Sequence, residues 1–237
     1  MTSPLKLWPE HWSLNVFANI EMIGGQSLWR YGLNSVIITT ASTGLVIVVT
    51  ALGSYAIVRG SSLGFFKFLR YTFLISIMYP YMLLVIPVYI VMYQLGLLGS
   101  YTGIILFLAL GPIQFFLFEQ FFRTIPSEII EAALIDGASE WEILWRVVMP
   151  MAAPVVATAT IITFLLNWAQ WFPVMIISRS PDTFTLPVAL LNLNGELGVN
   201  VQGIMALAVL TTIPTTLVFL LAQKQVMSGM ADGAIKG

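Results

Sequence analysis

The stretch FRTIPSEIIEAALIDGASEWEILWRVVMP, residues Phe122 to Pro150, is the most charged part of a chain that is otherwise mostly apolar. Two arginines and five acids fall within it: Arg123, Glu128, Glu131, Asp136, Glu140, Glu142 and Arg146. Long apolar runs border it on both sides. Because charged side chains are costly inside a bilayer, this acidic loop is expected to lie in water between two membrane spans.

The pattern inside the acidic loop predicts two short helices joined by a glycine. Pro126 suits a first-turn position, and Gly137 suits a left-handed turn that ends a helix over 127–136. Ser139 followed by Glu142 predicts a capping box for a second helix, which Pro150 ends or kinks. Its apolar face is expected to be formed by four residues at helical spacing, which are Trp141, Leu144, Trp145 and Val148. On physics alone, an amphipathic connector lying on the membrane surface is an open alternative.

The composition places the chain among polytopic membrane proteins. Of its 237 residues, 58% are hydrophobic and 9% are charged, against about a quarter charged in soluble domains. The absence of cysteine and a single histidine, His11, argue against thiol chemistry, His-based catalysis and a metal site. The chain carries no P-loop motif for a nucleotide. We therefore expect no enzyme activity and no cofactor in this chain, and no nucleic-acid partner.

Hydropathy predicts an all-α bundle with five membrane spans. The spans are expected at about 34–58, 71–94, 101–121, 153–177 and 203–222, with a basic loop over 59–70, the acidic loop over 123–150 and a polar loop over 178–202. Residues 1–33 form an N-terminal extracytoplasmic segment, and residues 34–237 form the membrane domain. Pro80 and Pro87 are expected to interrupt the second span, and Gly111-Pro112 lies in the middle of the third.

The basic residues set the expected orientation. Seven lysines and arginines lie on the side of the acidic loop and three on the other side, which predicts a cytoplasmic acidic loop and C-terminus in a multi-pass protein of the cell membrane. Five spans then place the polar N-terminus outside. A sixth span missing upstream is the expectation that follows.

The spacing within the acidic loop closely resembles the EAA signature of the permease subunits of ATP-binding-cassette importers. The matching residues are Glu131, Ala132, Ala133, Gly137, Val147, Met149 and Pro150, with Val147 and Met149 standing where the family has Ile and Leu. The maltose-type carbohydrate branch is also similar at Asn34-Ser35, at Pro80, at 125–128 and at the C-terminal 229–237. That branch usually begins with one more helix.

The resemblance implies a set of partners and contact residues. The partners are a second homologous permease, two cytoplasmic ATPase subunits that bind ATP and Mg²⁺, an extracytoplasmic solute-binding protein, and membrane lipid. The loop would be the coupling helix that docks on the ATPase through Glu131, Ala132, Ala133, Asp136, Gly137 and Pro150. The C-terminal tail would reach the ATPase through Gly229, Asp232, Gly233 and Lys236. Helix solubility and dipole compensation are the alternative role of Glu131.

A polar and aromatic cluster in the fourth span predicts the solute pathway. Sugars are bound by aromatic faces and amides, which here are Asn167, Trp168, Gln170 and Trp171. Inter-helix hydrogen bonding with interfacial tryptophans is the alternative. A self-contained secondary transporter or channel for a polar solute is the second functional hypothesis. It requires a central ionisable residue, and Glu119, expected near the cytoplasmic end, comes closest.

Overall fold

The computed structural model describes residues 26–196 and 201–234, and for residues 81, 193–196, 201–202 and 223–234 it describes the backbone alone. The described part is helical, with no β-strand. The helices are α1 Leu28–Arg59, α2 Gly64–Met78, α3 Tyr81–Gln94, α4 Tyr101–Leu108, α5 Pro112–Phe122, α6 Ser127–Ile135, α7 Glu140–Met151, α8 Ala153–Trp168, α9 Phe172–Ile177, α10 Leu186–Glu196 and α11 Val201–Ala234. The predicted all-α membrane fold is confirmed.

Two of these helices are long and apolar enough to cross a membrane unbroken, namely α1 and residues Gly203–Ala222 of α11. Three further candidates are pairs bent at a short break: α2 with α3 (117°), α4 with α5 (50°), and α7 with α8 (78°). If each bent pair is one span, the described residues hold five. The breaks at Pro80 and just after Pro150 were predicted from the sequence, whereas Pro87 stays inside a continuous α3. The structure adds a break at Gly111-Pro112 and another between α8 and α9.

Helix α1 is the centre of the bundle, because α5 and α8 pack along it. Its buried face carries small and hydroxyl side chains such as Ser42, Thr43 and Ser54, which allow close helix approach. Ser54 donates a hydrogen bond to the carbonyl oxygen of Phe115 in α5 (2.8 Å). A central helix with a small-residue surface therefore holds the neighbouring helices at short range.

Two predicted loops are wrong. The basic loop over 59–70 is reduced to residues 60–63, because α2 already begins at Gly64. The polar loop over 178–202 contains helix α10, whose Leu186 and Ala189 are buried against Tyr31 of α1 and Leu207 of α11. Both stretches have a low average hydropathy and were therefore predicted as loops, although each contains a helix that packs on the protein through one face. Helix α1 also begins six residues before the predicted start of the first span, and α11 continues beyond 222.

Asn34, at the start of α1, forms hydrogen bonds with the segment before α10, residues 182–185. Its amide nitrogen donates to the carbonyl oxygens of Asp182 and Phe184 (both 2.8 Å), and its amide oxygen accepts from the Tyr101 hydroxyl (2.6 Å). The neighbouring Ser35 hydroxyl accepts from the backbone N–H of Leu186 (2.8 Å). One dipeptide thus satisfies backbone groups that would otherwise be buried without partners.

The N-terminal segment cannot be compared with its prediction. Residues 1–25 lie outside the described residues, so the division at residue 33 stays a prediction.

Gly111 is predicted to tolerate no side chain. A Cβ at this position would lie 2.5 Å from Cγ1 of Val46 and 3.2 Å from Cγ2 of Thr50, and Val46 is fully buried. Gly111→Ala should therefore lower stability by about 1–3 kcal/mol through overpacking. The measurement is the midpoint of thermal denaturation in detergent. Gly44→Ala is the matched control, since a Cβ there meets nothing within 4 Å, and equal midpoints for the two variants would contradict the prediction.

Candidate functional site

Helix α6 ends in a left-handed turn at Gly137. This glycine has φ +83°, its N–H bonds to the carbonyl oxygen of Leu134 (3.0 Å), and the N–H of Ala138 bonds to the carbonyl oxygen of Ala133 (3.0 Å). These two bonds form the Schellman motif, which favours glycine at this position. The predicted turn is confirmed, and it separates the two helices of the acidic loop.

Helix α6 exposes most of its surface. Among its residues only Ile130 is fully buried, and Ala133 packs partly against the core beneath it. Glu131, Ala132 and Asp136 are exposed. Ile135 is 85% exposed, which is unusual for an isoleucine in a water-facing segment. The helix therefore presents a mixed acidic and apolar face that nothing within the described part of the chain covers.

The second helix of the loop, α7, begins with the predicted capping box. The backbone N–H of Glu142 donates to the Ser139 hydroxyl (3.3 Å), and the backbone N–H of Ser139 donates to Oε2 of Glu142 (3.0 Å). The Glu142 carboxylate accepts hydrogen bonds from the backbone N–H and from the hydroxyl of Ser139 (both 3.0 Å), and these hold the pKa of Glu142 below its usual range, with a smaller contribution from Arg146. The cap fixes where α7 starts relative to Gly137.

The predicted apolar face of α7 is half wrong. Leu144 and Val148 are buried as expected, but Trp141 is 61% and Trp145 37% exposed, with their rings 5.6 Å apart. The buried side is completed by Ile143 instead. The cause is a π-helical segment over Ile143–Val148, whose wider turn breaks the 3.6-residue spacing on which the prediction depended.

Glu140 joins the acidic loop to the end of α1. Its Oε1 lies 2.6 Å from Nη2 of Arg59, and its Oε2 accepts a hydrogen bond from the Tyr55 hydroxyl (2.6 Å). The Arg59 hydrogen bonds are the main cause that lowers the pKa of Glu140. Tyr55 and Arg59, one turn apart on α1, therefore connect α7 to the central helix.

Glu119 forms a second ionic link at the same end of the bundle. Its carboxylate is 2% exposed and accepts from Nη2 of Arg123 (2.8 Å) and from Nε of Arg70 in α2. Two cations therefore satisfy a charge that would be very costly to bury alone. Because this carboxylate is occupied by fixed partners, it does not supply the free ionisable group that a self-contained secondary transporter requires.

Three interrupted helices meet at one cavity of about 470 Å³. Its wall includes a residue from each break: Tyr79 between α2 and α3, Gly111 between α4 and α5, and Gln170 between α8 and α9. Irregular backbone at membrane depth occurs where it is buried in protein or lines a cavity. The breaks and the cavity are thus parts of a single arrangement.

The cavity wall is mostly apolar, with a few polar side chains and no charged one among the described residues. None of the described residues that line it is ionisable except Tyr79, and its polar members include Gln114, Asn167 and Gln170. Gln114 is only 4% exposed, and within the described part its side-chain amide has no hydrogen-bond partner. A buried amide of this kind can bind a hydroxyl group of a ligand.

The predicted solute cluster is divided by the structure. Asn167 and Gln170 line the cavity, and Asn167 is held by a hydrogen bond to the Ser42 hydroxyl (3.0 Å). Trp168 is buried and donates to the carbonyl oxygen of Thr211 (3.0 Å), and Trp171 is 41% exposed, so neither lines the cavity. Sequence reasoning missed Gln114 as a site residue, although a glutamine two residues after Gly111-Pro112 was a usable signal.

The other predicted contact residues lie on different elements. Pro150 is exposed in α7, next to the 78° bend into α8 and not on α6. Gly229, Asp232 and Gly233 fall in the backbone-only end of α11, and Lys236 lies outside the described residues. In the part of the chain that the structure describes, no group of three or more His, Cys, Asp or Glu residues could hold a metal ion.

An all-helical membrane protein with broken helices around an uncharged cavity, and with an exposed acidic loop at one end of the bundle, has the features of a solute permease. Sequence comparison agrees. The chain belongs to the family described as binding-protein-dependent transport system inner membrane component, whose profile matches residues 52–231.

Individual relatives cover most of the chain. It is 31% identical to the arabinooligosaccharides transport system permease protein AraQ of Halalkalibacterium halodurans, over 88% of this chain and 75% of that protein. It is 34% identical to the sn-glycerol-3-phosphate transport system permease protein UgpE of Yersinia pestis, over 84% of this chain and 72% of that protein. The diacetylchitobiose uptake system permease protein NgcG of Streptomyces coelicolor is 29% identical over 100% of this chain and 78% of its own length.

Solved structures share the fold. The crystal structure of a bacterial ABC transporter involved in the import of alginate contains a chain that matches with a TM-score of 0.75 at 23% identity, over 88% of this chain and 78% of that chain. The MetNI methionine ABC transporter matches with a TM-score of 0.63 at 18% identity, over 85% of this chain and 95% of that chain. The predicted class, a permease subunit of an ATP-binding-cassette importer, is confirmed, and the hypothesis of a self-contained secondary transporter is not supported.

Glu140→Gln should loosen the acidic loop at neutral pH. The change removes the charge that Arg59 contacts. Exposed ion pairs of this kind stabilise by up to about 1 kcal/mol, so their loss should make amide exchange over 138–151 up to roughly fivefold faster. Since the folded pKa of Glu140 is lowered from 4.5, its contribution is present above that value and is lost as the pH falls through the lowered pKa.

Hydrogen exchange followed by mass spectrometry measures this effect. Glu128→Gln is the matched control, because Glu128 is an exposed acid of the same loop with no ion pair among the described residues. Equal exchange in the two variants at pH 7 would contradict the link.

Proposed function

We propose that this permease carries an uncharged carbohydrate through the cavity at the three helix breaks. The observation that supports it best is the cavity wall, which offers amides and hydroxyls but no carboxylate, lysine or arginine among the described residues. Neutral polyols and sugars need hydrogen-bond partners and no counter-charge. Several relatives carry carbohydrate names, such as the arabinooligosaccharide and diacetylchitobiose permeases.

Three amides give the solute its proposed contacts. Asn167 is oriented by Ser42, so its amide oxygen is left to accept from a solute hydroxyl. Gln114 and Gln170 contribute amides that have no protein partner in the described part of the chain. Apolar walls such as Phe73 and Phe107 supply surface for the carbon face of a sugar ring. The exposed Trp171 and buried Trp168 have no part in this version of the pathway.

The driving reaction takes place on partner subunits in this proposal. Two ATPase subunits bind ATP and Mg²⁺, a second permease completes the pathway, and an extracytoplasmic binding protein delivers the solute. This chain itself binds no cofactor and catalyses no reaction. Membership in a binding-protein-dependent transport family supports this division of work.

The exposed face of α6 is the proposed ATPase contact. Glu131, Ala132 and Asp136 supply acidic and small surface, Ala133 holds the helix on the bundle, and Gly137 ends it. The observation that supports docking is Ile135, which is 85% exposed although burial of such a side chain is worth about 2 kcal/mol. Pro150 acts on this contact indirectly, because it lies at the bend between α7 and α8.

The proposed orientation puts the acidic loop in the cytoplasm. Arg59, Lys67, Arg70, Arg123 and Arg146 all lie at or beside the end of the bundle that carries this loop, which is the pattern of a cytoplasmic side. Helix α11 continues from the membrane to Ala234, so its end projects toward the same side. Contacts of Gly229, Asp232, Gly233 and Lys236 with the ATPase stay a proposal.

Gln114→Leu should weaken transport without affecting assembly. The loss of one hydrogen bond to the solute is worth about 0.5–1.5 kcal/mol, so the KM for uptake should rise roughly two- to tenfold. Uptake of radiolabelled solute is measured in proteoliposomes that contain the full transporter and its binding protein.

Gln94→Leu is the matched control, since Gln94 is exposed at the end of α3 and lines no described cavity. A KM for Gln114→Leu equal to that of Gln94→Leu would count against the cavity as the solute pathway.

Ile135→Ser should weaken capture of the ATPase subunit roughly thirtyfold, from the loss of about 2 kcal/mol of apolar burial. The tagged chain is purified from mild detergent and the co-purified ATPase is quantified. Trp29→Ser is the control, because Trp29 is 74% exposed near the opposite end of α1. Full capture by Ile135→Ser, with an unchanged melting midpoint, would show that α6 is not the docking helix.

A further inference from the structure

A small cationic pocket lies between the end of α1 and the start of α2. It has a volume of about 200 Å³, against roughly 30 Å³ for one water molecule. Lys67 and Arg70 enter it from α2, and Arg123 enters from the residue that follows α5. The Ser61 and Tyr71 residues add polar side chains to its wall. The pocket is separate from the solute cavity, with which it shares no lining residue.

The charges of this pocket do not balance. Arg70 and Arg123 share a single carboxylate, that of Glu119. Arg59, at the end of α1, is already paired with Glu140. Lys67 has no ion pair among the described residues. Three cations against one carboxylate leave an excess of two positive charges, which an anion with several oxygen atoms can neutralise.

The surroundings of the pocket are those of a membrane interface. Exposed apolar and aromatic side chains flank Lys67 and Arg70 along the same short stretch, with Leu63 58%, Phe65 65%, Phe68 66% and Tyr71 58% exposed. Aromatic residues of this kind are enriched where headgroups meet acyl chains. Helix α2 begins at this point and is the first half of the bent pair that it forms with α3. A bound molecule therefore meets cations at one end and a hydrocarbon-compatible surface at the other.

We propose that this pocket binds the phosphate group of an anionic phospholipid. The phosphate would lie among Lys67, Arg70 and Arg123, and the acyl chains would lie against Phe65 and Phe68. Basic pockets between membrane helices bind anionic headgroups in this way. The bound lipid would add a third anion-mediated contact to the end of the bundle where Glu119 and Glu140 already link α1, α2 and the acidic loop.

The geometry also gives the lipid a positioning role. Arg70 and Arg123 are held toward each other by Glu119, so their remaining N–H groups are preorganised for a second oxyanion. Lys67 is one turn before Arg70 on α2 and is exposed, so it can reach the same group without an internal contact being broken. Removal of Lys67 therefore tests the site while the Glu119 link is left intact.

Lipid titration of the purified transporter tests the proposal. Phosphatidylglycerol, phosphatidylcholine or inorganic phosphate is added in detergent at matched concentration, and the melting midpoint and the number of retained lipids by native mass spectrometry are recorded. Phosphatidylglycerol should raise the midpoint saturably, phosphatidylcholine should not, and Lys67→Gln should weaken the apparent affinity roughly fivefold.

Arg146→Gln is the matched control, because Arg146 is an exposed cation at the same end of the bundle but outside the pocket. The proposal is overturned if Lys67→Gln and Arg146→Gln titrate alike, or if phosphatidylcholine stabilises as well as phosphatidylglycerol. An equal effect of inorganic phosphate would identify a free anion as the ligand and would overturn the lipid assignment. A phosphatidylglycerol titration of the assembled transporter with no saturable effect would also overturn the proposal, because a partner subunit rather than a lipid would then cover the pocket.

Discussion

The architecture depends on one constraint, which is that backbone N–H and C=O groups cannot be left without partners in hydrocarbon. Several helical elements are nevertheless interrupted, and each break frees such groups. Three of the breaks contribute a residue to the wall of one cavity, namely Tyr79, Gly111 and Gln170. At this cavity the amide nitrogen of Asn167 lies 3.5 Å from the carbonyl oxygen of Leu108 at the end of α4. Filling the cavity with apolar side chains would leave backbone groups of this kind without partners.

The same constraint explains why the two ends of the bundle are built differently. At one end, Asn34 and Ser35 satisfy the backbone of the segment before α10 with neutral hydrogen bonds, beside one exposed ion pair between Arg30 and Asp182 (3.5 Å). At the other end, charged pairs around Glu119 and Glu140 make the links. Neutral links hold their geometry regardless of the ionic environment, whereas partly exposed ion pairs are weaker and sensitive to salt. The end that carries the acidic loop is thus the more adjustable one.

Much of this arrangement could be predicted from the sequence where local chemistry decides the structure. The turn at Gly137, the capping box at Ser139 and the break at Pro80 follow from residue preferences that act within a few positions. The helix over Leu186–Glu196 could not be predicted, because its support comes from Tyr31 and Leu207, which are distant in the chain. Gln114 and Gln170 likewise become neighbours only when α4, α5 and α8 are assembled. The tryptophans of α7 were misplaced because an ideal helical period was assumed across a segment that does not follow it.

That π-helical segment has a consequence for how the family can vary by insertion and deletion. Its wide turn holds one residue more than an α-helical turn would need, so a homologue that lacks one residue between Ile143 and Val148 could close this stretch into an ordinary α-helix without a gap. Because the wide turn and an ordinary α-helical turn each complete one revolution, such a deletion would leave the start of α7 facing nearly the same way relative to α8. A deletion in the α-helical part of α7 would instead rotate Glu140 by about 100° away from Arg59. The loss of one residue is therefore expected to be tolerated better within Ile143–Val148 than elsewhere in α7.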